Sequence, residues 1–435
     1  MGKYFGTDGI RGIAYDFLTS ELATAIGRSL VVLQNRKMVI ARDTRESGPM
    51  LVEALKKGAI AVGINCVDYG VLPTPLLSYL SKIKNSIGVM VTASHNPFQD
   101  NGIKVFNAGH KLLPNEESMI ESEIDVPADL SKIHKSGSPL PADDPIQQYR
   151  TLFRSFSITK RLRIGADLAH GATTATAPAI LAEAASELFL IGNHPDGINI
   201  NEHVGSTHPE ALQELVKKHH LDVGFAFDGD GDRVLACDGQ GVLFDGDMLL
   251  YIIACFLQKE GKLHANQVVL TRMSNLGIIK ALKKQGIDTL FADVGDKYVL
   301  EALENHQLTL GGENSGHIIN RLLLDTGDGV LNAMQIIDVL VKTGKTLSQL
   351  TEDVVFFPDK LYNLRGVDRM LAKHPEVIRK VKEIETRLNG DGKVLVRPSG
   401  TEPLIRIAVS APSEAIVDQI IAEIIATIDT FSKNK

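Results

Sequence analysis

Three aspartates at alternate positions open the chemistry of this chain: Asp228, Asp230 and Asp232 in DGDGDR, closed by Arg233. Gly229 and Gly231 let the backbone curl tightly enough for the three carboxylates to converge. Anionic groups that close repel unless a cation sits among them. Oxygen-only ligation suits Mg²⁺, a hard ion that keeps positions open for water or phosphate. A calcium loop of the EF-hand type needs Gly at its sixth place and Glu at its twelfth. This chain has Arg233 and Gly239 there. A solvated acidic turn competes, but the apolar run DVGFAF leads straight into the motif and disfavours it.

A second polar turn, TASHNP (Thr92 to Pro97), also follows an apolar run. Ser94 at the end of a buried strand can accept a phosphoryl group and act as a covalent carrier. A phosphoserine carries about −1.5 to −2 charges, so it would need the divalent ion and nearby cations. A Ser94–His95 hydrolase pair is set aside. Adjacent residues of an extended chain point apart, and no G-x-S-x-G elbow occurs.

RPSGTEP (Arg397 to Pro403), followed by Arg406, combines hydroxyls, backbone N–H groups and guanidinium forks, the makings of a phosphate cradle. No Walker A loop competes, because Gly344-Lys345-Thr346 lacks the preceding glycine. GGENSGH (Gly311 to His317) offers Glu313 and Ser315 for sugar hydroxyls and His317 for proton transfer. Arg11 in FGTDGIRG and Lys104 in DNGIK supply positive charge. Taken singly, the RPSGTEP cradle is moderately specific against a surface turn, GGENSGH is weak because a lone histidine is more often structural, and Arg11 and Lys104 read first as surface charges.

The elements that hold these loops can be read from periodicity. Apolar runs at 38–41, 86–93, 162–167, 222–228, 267–271 and 308–312 alternate with helical stretches such as Gly48–Val62, Ala211–His219, Asp247–Glu260 and Ile278–Gln285. This alternation predicts α/β domains with largely parallel sheets, covered on both faces. A strand followed by a Gly-rich polar loop recurs at 87–97, 222–233 and 307–317. Ligands of α/β sheets bind at the carboxyl ends of strands, so these loops come first.

The chain has 435 residues, enough for about three domains or four small ones. A linker is expected at 131–146 and a hinge at 356–368, ahead of a C-terminal unit with a long apolar helix from about Ser413. The net charge of −7 argues against nucleic acid and anionic membranes as partners. The longest apolar run, Met248 to Leu257, is too short to span a bilayer. Three cysteines without C-x-x-C spacing and no evident targeting segment predict a cytoplasmic protein.

Together the motifs FGTDGIRG, TASHNPFQDNGIK, PDGININ, GSTHPEAL, DGDGDR, GGENSGH and RPSGTEP resemble the α-D-phosphohexomutase superfamily, and within it the bacterial phosphoglucosamine mutases. The resemblance spans essentially the whole chain. It implies four domains in a heart shape: three related α/β domains at 1–145 (phosphoserine loop), 146–247 (metal loop) and 248–358 (sugar loop), and a smaller α+β domain at 359–435 (phosphate loop). It implies Ser94 as phosphoserine. It implies one Mg²⁺ on Asp228, Asp230, Asp232 and a phosphoserine oxygen. Glu313 and Ser315 would take sugar hydroxyls, and Arg397, Ser399, Gly400, Thr401 and Arg406 the non-reacting phosphate. Arg11, Lys104 and Arg233 would balance charge, with Lys104 and His317 as candidates for proton transfer.

The implied reaction converts glucosamine 6-phosphate to glucosamine 1-phosphate through a 1,6-bisphosphate. A bisphosphorylated sugar would serve as activator and the product would feed UDP-N-acetylglucosamine synthesis. A homodimer is compatible with the sequence, which does not fix the oligomeric state. Val294-Gly295-Asp296-Lys297-Tyr298, where glucose and mannose relatives often carry histidine, and Asn314 both favour the amino-sugar subgroup. DLAHGA at 167–172 and HVGSTH at 203–208 depart slightly from the family wording and are expected to lie away from the ligands. The alternatives are a phosphoglucomutase or phosphomannomutase, an aspartate-dependent phosphatase with Asp228 as nucleophile, and a non-catalytic phosphosugar-binding protein. The phosphatase pattern D-x-D-x-T/V fails at its fifth residue, Asp232.

Overall fold

A computed structural model describes residues 2–6, 8–126, 136–399 and 404–432. The first sheet contains β1 (Ile10–Ile13), β2 (Lys37–Arg42), β3 (Asn65–Val71), β4 (Ile87–Val91), β5 (Asp100–Asn107), β6 (His110–Lys111) and β7 (Pro139–Leu140). Its order is β1-β5-β4-β2-β3-β7, with β6 beside β5. The second contains β8 (Leu162–Asp167), β9 (Ala185–Ile191), β10 (Val223–Phe227), β11 (Val234–Asp238) and β12 (Leu243–Phe244), in the order β12-β11-β10-β8-β9. The third contains β13 (Gln267–Thr271), β14 (Asp288–Ala292), β15 (Leu310–Gly312) and β16 (Ile318–Asn320), in the order β14-β13-β15-β16. The fourth contains β17 (Asp359–Arg365), β18 (Lys393–Pro398) and β19 (Leu404–Ser410), wholly antiparallel, with β19 central.

The expectation of largely parallel sheets needs correction. β2, β3, β4 and β7 pair in parallel, as do β8, β9 and β10, and β13 with β15. Yet β4 turns back into antiparallel β5, β10 into β11, and β15 into β16. The connections at 92–99, 228–233 and 313–317 explain this. A parallel crossover takes a dozen or more residues, and these loops are too short for one. The three recurrent polar loops of the sequence are thus equivalent hairpin turns. Each sits at the carboxyl end of the last parallel strand of its sheet.

Helices cover these sheets as the apolar spacing predicts. Gly48–Ala61 buries Leu51, Val52 and Leu55 against the first core, which includes Ile40, Val89 and Ile103. The apolar run beginning at Met248 is the helix Gly246–Lys259, started by Asp245, whose carboxylate accepts from the Met248 amide. It buries Leu249, Leu250, Ile252 and Ile253. Among the described residues no helix is long and apolar enough to cross a membrane. Cys66, Cys237 and Cys255 are all free.

The chain divides into two compact units: residues 1–272 with 290–352, and residues 273–289 with 353–435. In the second, the helix Glu414–Ser432 lays Val417, Ile420, Ile424 and Ile428 over Ile405, Ile407 and Val409. That spacing is the apolar stripe of a helix covering one sheet face. The expected hinge at 356–368 is not slack chain. Phe357 donates its amide to Asn275 Oδ1 (3.1 Å) and accepts from Asn275 Nδ2 (2.7 Å), and β17 begins at Asp359. Gly277 lies against the Val355 carbonyl, where an added Cβ would come within 1.9 Å. Of the expected linker at 131–146, residues 131–135 lie outside the described ones.

Asn275→Ala strips both partners from the Phe357 backbone. Leaving a buried amide and carbonyl unpaired costs about 1–3 kcal/mol each. Urea denaturation followed by circular dichroism should show the midpoint falling. An unchanged midpoint would mean that water replaces the amide without loss.

Candidate active site

The loop 92–99 presents Ser94 in a left-handed conformation (φ 51°) that few non-glycine residues adopt. Its hydroxyl donates to Asp228 Oδ2 at 2.6 Å. The sequence argument that Ser94 and His95 point apart assumed extended chain and fails here. The left-handed turn brings Ser94 Oγ within 3.4 Å of His95 Nδ1. The Ser94 hydroxyl nonetheless has its shorter bond to the aspartate. Burial, with Arg233 and Arg11 nearby, lowers the His95 pKa from the usual value, so this ring is no added cation.

Asp228, Asp230 and Asp232 do converge. They are buried, and each offers one carboxylate oxygen within 4.8 Å of the others. Gly229 is required by close approach, since a Cβ there would come within 2.4 Å of the Ser94 carbonyl. Gly231 is required by its φ of 75°. Burial and then the neighbouring carboxylates raise the Asp228 pKa well above the ordinary carboxylate range. Asp230 Oδ2 accepts from Thr74 Oγ1 (2.5 Å) and Lys104 Nζ (2.8 Å). Asp230 Oδ1 and Asp232 Oδ1 are buried without a hydrogen-bond partner. Three carboxylate oxygens this close, in residues that still have oxygens without a hydrogen bond, fit a hard divalent cation.

Through Asp232 the triad joins a closed circuit of acidic and basic side chains. Asp8 Oδ2 pairs with Lys104 (3.0 Å), and Lys104 with Asp232 (3.5 Å). His317 Nδ1 lies 3.7 Å from Asp232, and His317 Nε2 lies 3.8 Å from Asp296. Asp296 pairs with Lys111, which returns to Asp8 at 2.8 Å. Burial alone would neutralise Lys104, yet Asp230, Asp8 and Asp232 outweigh it and raise its pKa well above the usual value. For Asp232, burial opposes ionisation, but Lys104, His317 and Arg233 hold its pKa well below the usual range. For His317, burial opposes the cation and the Gly327 amide donates to Nε2 (3.2 Å). The Asp232 and Asp296 carboxylates prevail and raise its pKa.

The remaining predicted residues of the first unit gather at the same loops. Arg11 reaches the Ala93 carbonyl (3.4 Å) beside Ser94 and pairs with Asp8. Arg233 N–H donates to Asp228 Oδ1 at 3.1 Å. Glu313 Oε1 accepts the Gly295 amide at 3.0 Å, so the 294–298 stretch touches the sugar loop directly. Asn314 O accepts from the Gly246 amide and Gly316 O from the Val234 amide, which seats the sugar loop on the metal-loop sheet. Nε of Arg11, Nε of Arg233 and Oγ of Ser315 are buried without a hydrogen-bond partner, and Arg233 Nε lies 3.8 Å from Asp232 Oδ1. These are donors suited to phosphate and hydroxyl oxygens.

In the second unit, Arg397 and Arg406 face each other directly across β18 and β19. Like charges opposite one another are destabilising unless an anion bridges them. Arg406 Nε is buried and unpartnered. The buried Ser399 ties its own amide to Leu404 O at 2.9 Å. Gly400 and Thr401 lie outside the described residues.

Sequence reasoning passed over several residues. Thr74, Asp8 and Lys111 carry no mark of chemistry in the sequence, Asp296 is read there only as part of a stretch that favours the amino-sugar subgroup, and only the fold brings the four to the triad. The 167–172 segment was expected away from the ligands but packs on the metal loop. The Ala172 amide donates to Gly229 O at 2.8 Å, and a Cβ on Gly171 would come within 2.4 Å of the same oxygen. From the second segment, Ser206 N donates to Phe227 O at 2.7 Å.

Comparison with known proteins agrees along the chain. Four domain descriptions of one family match: phosphoglucomutase/phosphomannomutase alpha/beta/alpha domain I at residues 2–129, domain II at 146–241, domain III at 245–356, and the C-terminal domain at 360–427. The phosphoglucosamine mutase of Bacillus cytotoxicus is 44% identical over 444 residues, covering 98% of each chain. That of Bacillus pumilus is 43% identical over 446 residues with the same coverage. A phosphoglucomutase/phosphomannomutase family protein of Burkholderia thailandensis shares the fold, with a TM-score of 0.81 at 24% identity over 98% of this chain and 97% of that one. An Aspergillus fumigatus N-acetylphosphoglucosamine mutase, solved with GlcNAc-6P and magnesium, superposes with a TM-score of 0.64 at 17% identity, covering 99% and 96%.

If the triad binds a divalent ion, Mg²⁺ relieves repulsion among buried carboxylates and stabilises the folded chain by mass action. Thermal unfolding should move upward with added Mg²⁺ in the wild type and much less in Asp230→Asn. Equal shifts in both proteins would place the ion elsewhere.

Proposed function

Because the chain belongs to the phosphoglucomutase/phosphomannomutase family, and within it to the phosphoglucosamine mutases, we propose that it interconverts glucosamine 6-phosphate and glucosamine 1-phosphate through a phosphorylated Ser94. The observation that carries this reading is the 2.6 Å contact between the Ser94 hydroxyl and Asp228 inside a triad of buried carboxylates. A hydroxyl so placed has little use except to bear a group whose charge a cation there can offset.

In the forward direction the Ser94 phosphoryl passes to the sugar O1: the P–Oγ bond breaks, a P–O1 bond forms, and the O1 proton ends on Ser94 Oγ, which becomes the hydroxyl that donates to Asp228. The resulting 1,6-bisphosphate turns over, and its 6-phosphoryl returns to Ser94. Such transfers depend on positioning and electrostatics more than on covalent help from the protein. Asp228, Asp230, Asp232 and a phosphoserine oxygen would hold Mg²⁺, which would supply charge neutralisation for the transferring group. Arg11 and Arg233 bring guanidinium charge to the same loops. Lys104 is held as an ammonium by its three carboxylates, so it serves as a fixed cation and hydrogen-bond donor rather than as a base. His317 turns Nε2 to Gly327 and Nδ1 toward Asp232, so it acts through Asp232. Glu313 and Ser315 take hydroxyls that exchange places when the sugar reorients. Arg397, Ser399, Gly400, Thr401 and Arg406 hold the phosphate that is not reacting, and a bisphosphorylated sugar primes Ser94. A homodimer and a cytoplasmic setting are compatible with this reading and are not required by it.

Ser94→Ala should reduce turnover by several orders of magnitude with the circular dichroism spectrum unchanged. In the wild type, with Mg²⁺ and a trace of sugar bisphosphate, kcat/KM should rank glucosamine phosphate above glucose and mannose phosphates. Near-normal rates in the serine variant would remove the covalent carrier. A preference for glucose or mannose would move the chain to the other branch of its family.

A further inference from the structure

Arg45 is the largest side chain in the core that is fully shielded from solvent, with its guanidinium at 0% exposure. Its Nε donates to Asp43 Oδ2 at 2.8 Å. NH2 donates to the carbonyls of Ser94 (2.9 Å) and Asn96 (2.8 Å). NH1 donates to the carbonyls of Asp100 (2.9 Å) and Pro97. All five N–H donors of a guanidinium are therefore used, four of them on one loop and its first strand residue. A lysine has three donors radiating from a point and cannot match that plane.

The same cluster also grips the other side of Ser94. The Ser94 amide donates to Thr92 Oγ1 at 2.9 Å, and Thr92 Oγ1 donates to Asp43 Oδ2 at 2.6 Å. Tracing these bonds gives a closed circuit: Ser94 N–H, Thr92 hydroxyl, Asp43 carboxylate, Arg45 guanidinium, Ser94 C=O. The Asn201 amide adds a second donor to that carbonyl at 3.0 Å. A left-handed non-glycine residue costs of order 1–3 kcal/mol and persists only where its surroundings over-determine it. The circuit is that over-determination, and the conformation it fixes points Oγ at Asp228.

We propose that Arg45, acting through Asp43 and Thr92, is a positioning residue that sets the backbone of Ser94 for phosphoryl transfer. The inference rests on the reading of Ser94 as the phosphoryl carrier. The Arg45 donors are all spent on protein acceptors, which leaves none for a sugar or phosphate. Arg45 governs how well the nucleophile is aimed and has no part in how tightly substrate is held. A displacement of about 1 Å at a reacting atom can cost on the order of 100-fold in rate.

The test uses the full chain with Mg²⁺, glucosamine 6-phosphate and a trace of bisphosphate primer, in the wild type, Arg45→Lys and Thr92→Val. Wild-type turnover and phosphate on Ser94 check the underlying reading; their absence would defeat that reading rather than this inference. Given both, Arg45→Lys should lower kcat about 100-fold with KM within about threefold, at a temperature where the variant is fully folded. Single-turnover transfer from phosphorylated Ser94 to the sugar should slow by the same factor. Thr92→Val breaks the circuit at its other end with little change in volume, and it should show the same split more weakly. It decides the matter if Arg45→Lys does not fold. A folded variant whose kcat stays within about threefold, or one whose losses follow only its folded fraction, would overturn the proposal.

Discussion

Three carboxylates forced together in a buried loop are the constraint on which the rest of this structure depends. Without compensation, burial and mutual repulsion would keep them protonated or apart. The molecule compensates in layers. Thr74 and the Arg233 amide donate directly to the triad. Lys104 sits against Asp230 and Asp232. An outer circuit through Asp8, Lys111, Asp296 and His317 then keeps Lys104 charged and in place. Two aspartate oxygens remain unsatisfied. That residual negative charge is what a divalent ion would offset, with a phosphoserine oxygen as a further ligand.

The geometry that makes this feasible is a repeated one. In three sheets, the last parallel strand reverses through a short loop into an antiparallel neighbour. That places the serine loop, the metal loop and the sugar loop at equivalent positions. The loops then brace one another. Gly229 receives the Ser94 carbonyl, Gly316 lies against Val234 of the strand leaving the metal loop, and Gly246 lies against the Glu313 carbonyl. A side chain at any of the three would meet backbone, which yields less readily than a flexible side chain. The glycines are therefore as necessary to the site as the charged groups.

Much of this was legible in the sequence, and what was not has physical reasons. Strand runs such as 162–167 and 267–271 stood out because strands covered on both faces are continuously apolar. DGDGDR announced its chemistry because three like charges with only glycine between them have few other uses. Strand direction was hidden: apolar content says which residues are covered, while loop length decides parallel or antiparallel. Ser94's left-handed backbone was hidden because nothing in TASHNP demands it; the demand comes from Asp43 and Arg45, some fifty residues away. The 356–368 segment reads as a boundary by composition, which does not reveal that Asn275, far back in the chain, holds its start within the same unit. DLAHGA looked peripheral because its role is to shape Gly229 through backbone contacts, which leave no signature in side-chain type.

The most direct measurement is where a transferred phosphoryl group comes to rest. The protein, with Mg²⁺ and a radiolabelled sugar 1,6-bisphosphate, is quenched in acid, digested and mapped, and a parallel sample is chased with unlabelled glucosamine 6-phosphate. The account predicts acid-stable label on the peptide bearing Ser94 that leaves into sugar phosphate during the chase. Label on Asp228 as a hydrolysable acyl phosphate, or label on Ser94 that never returns to a sugar, would contradict it.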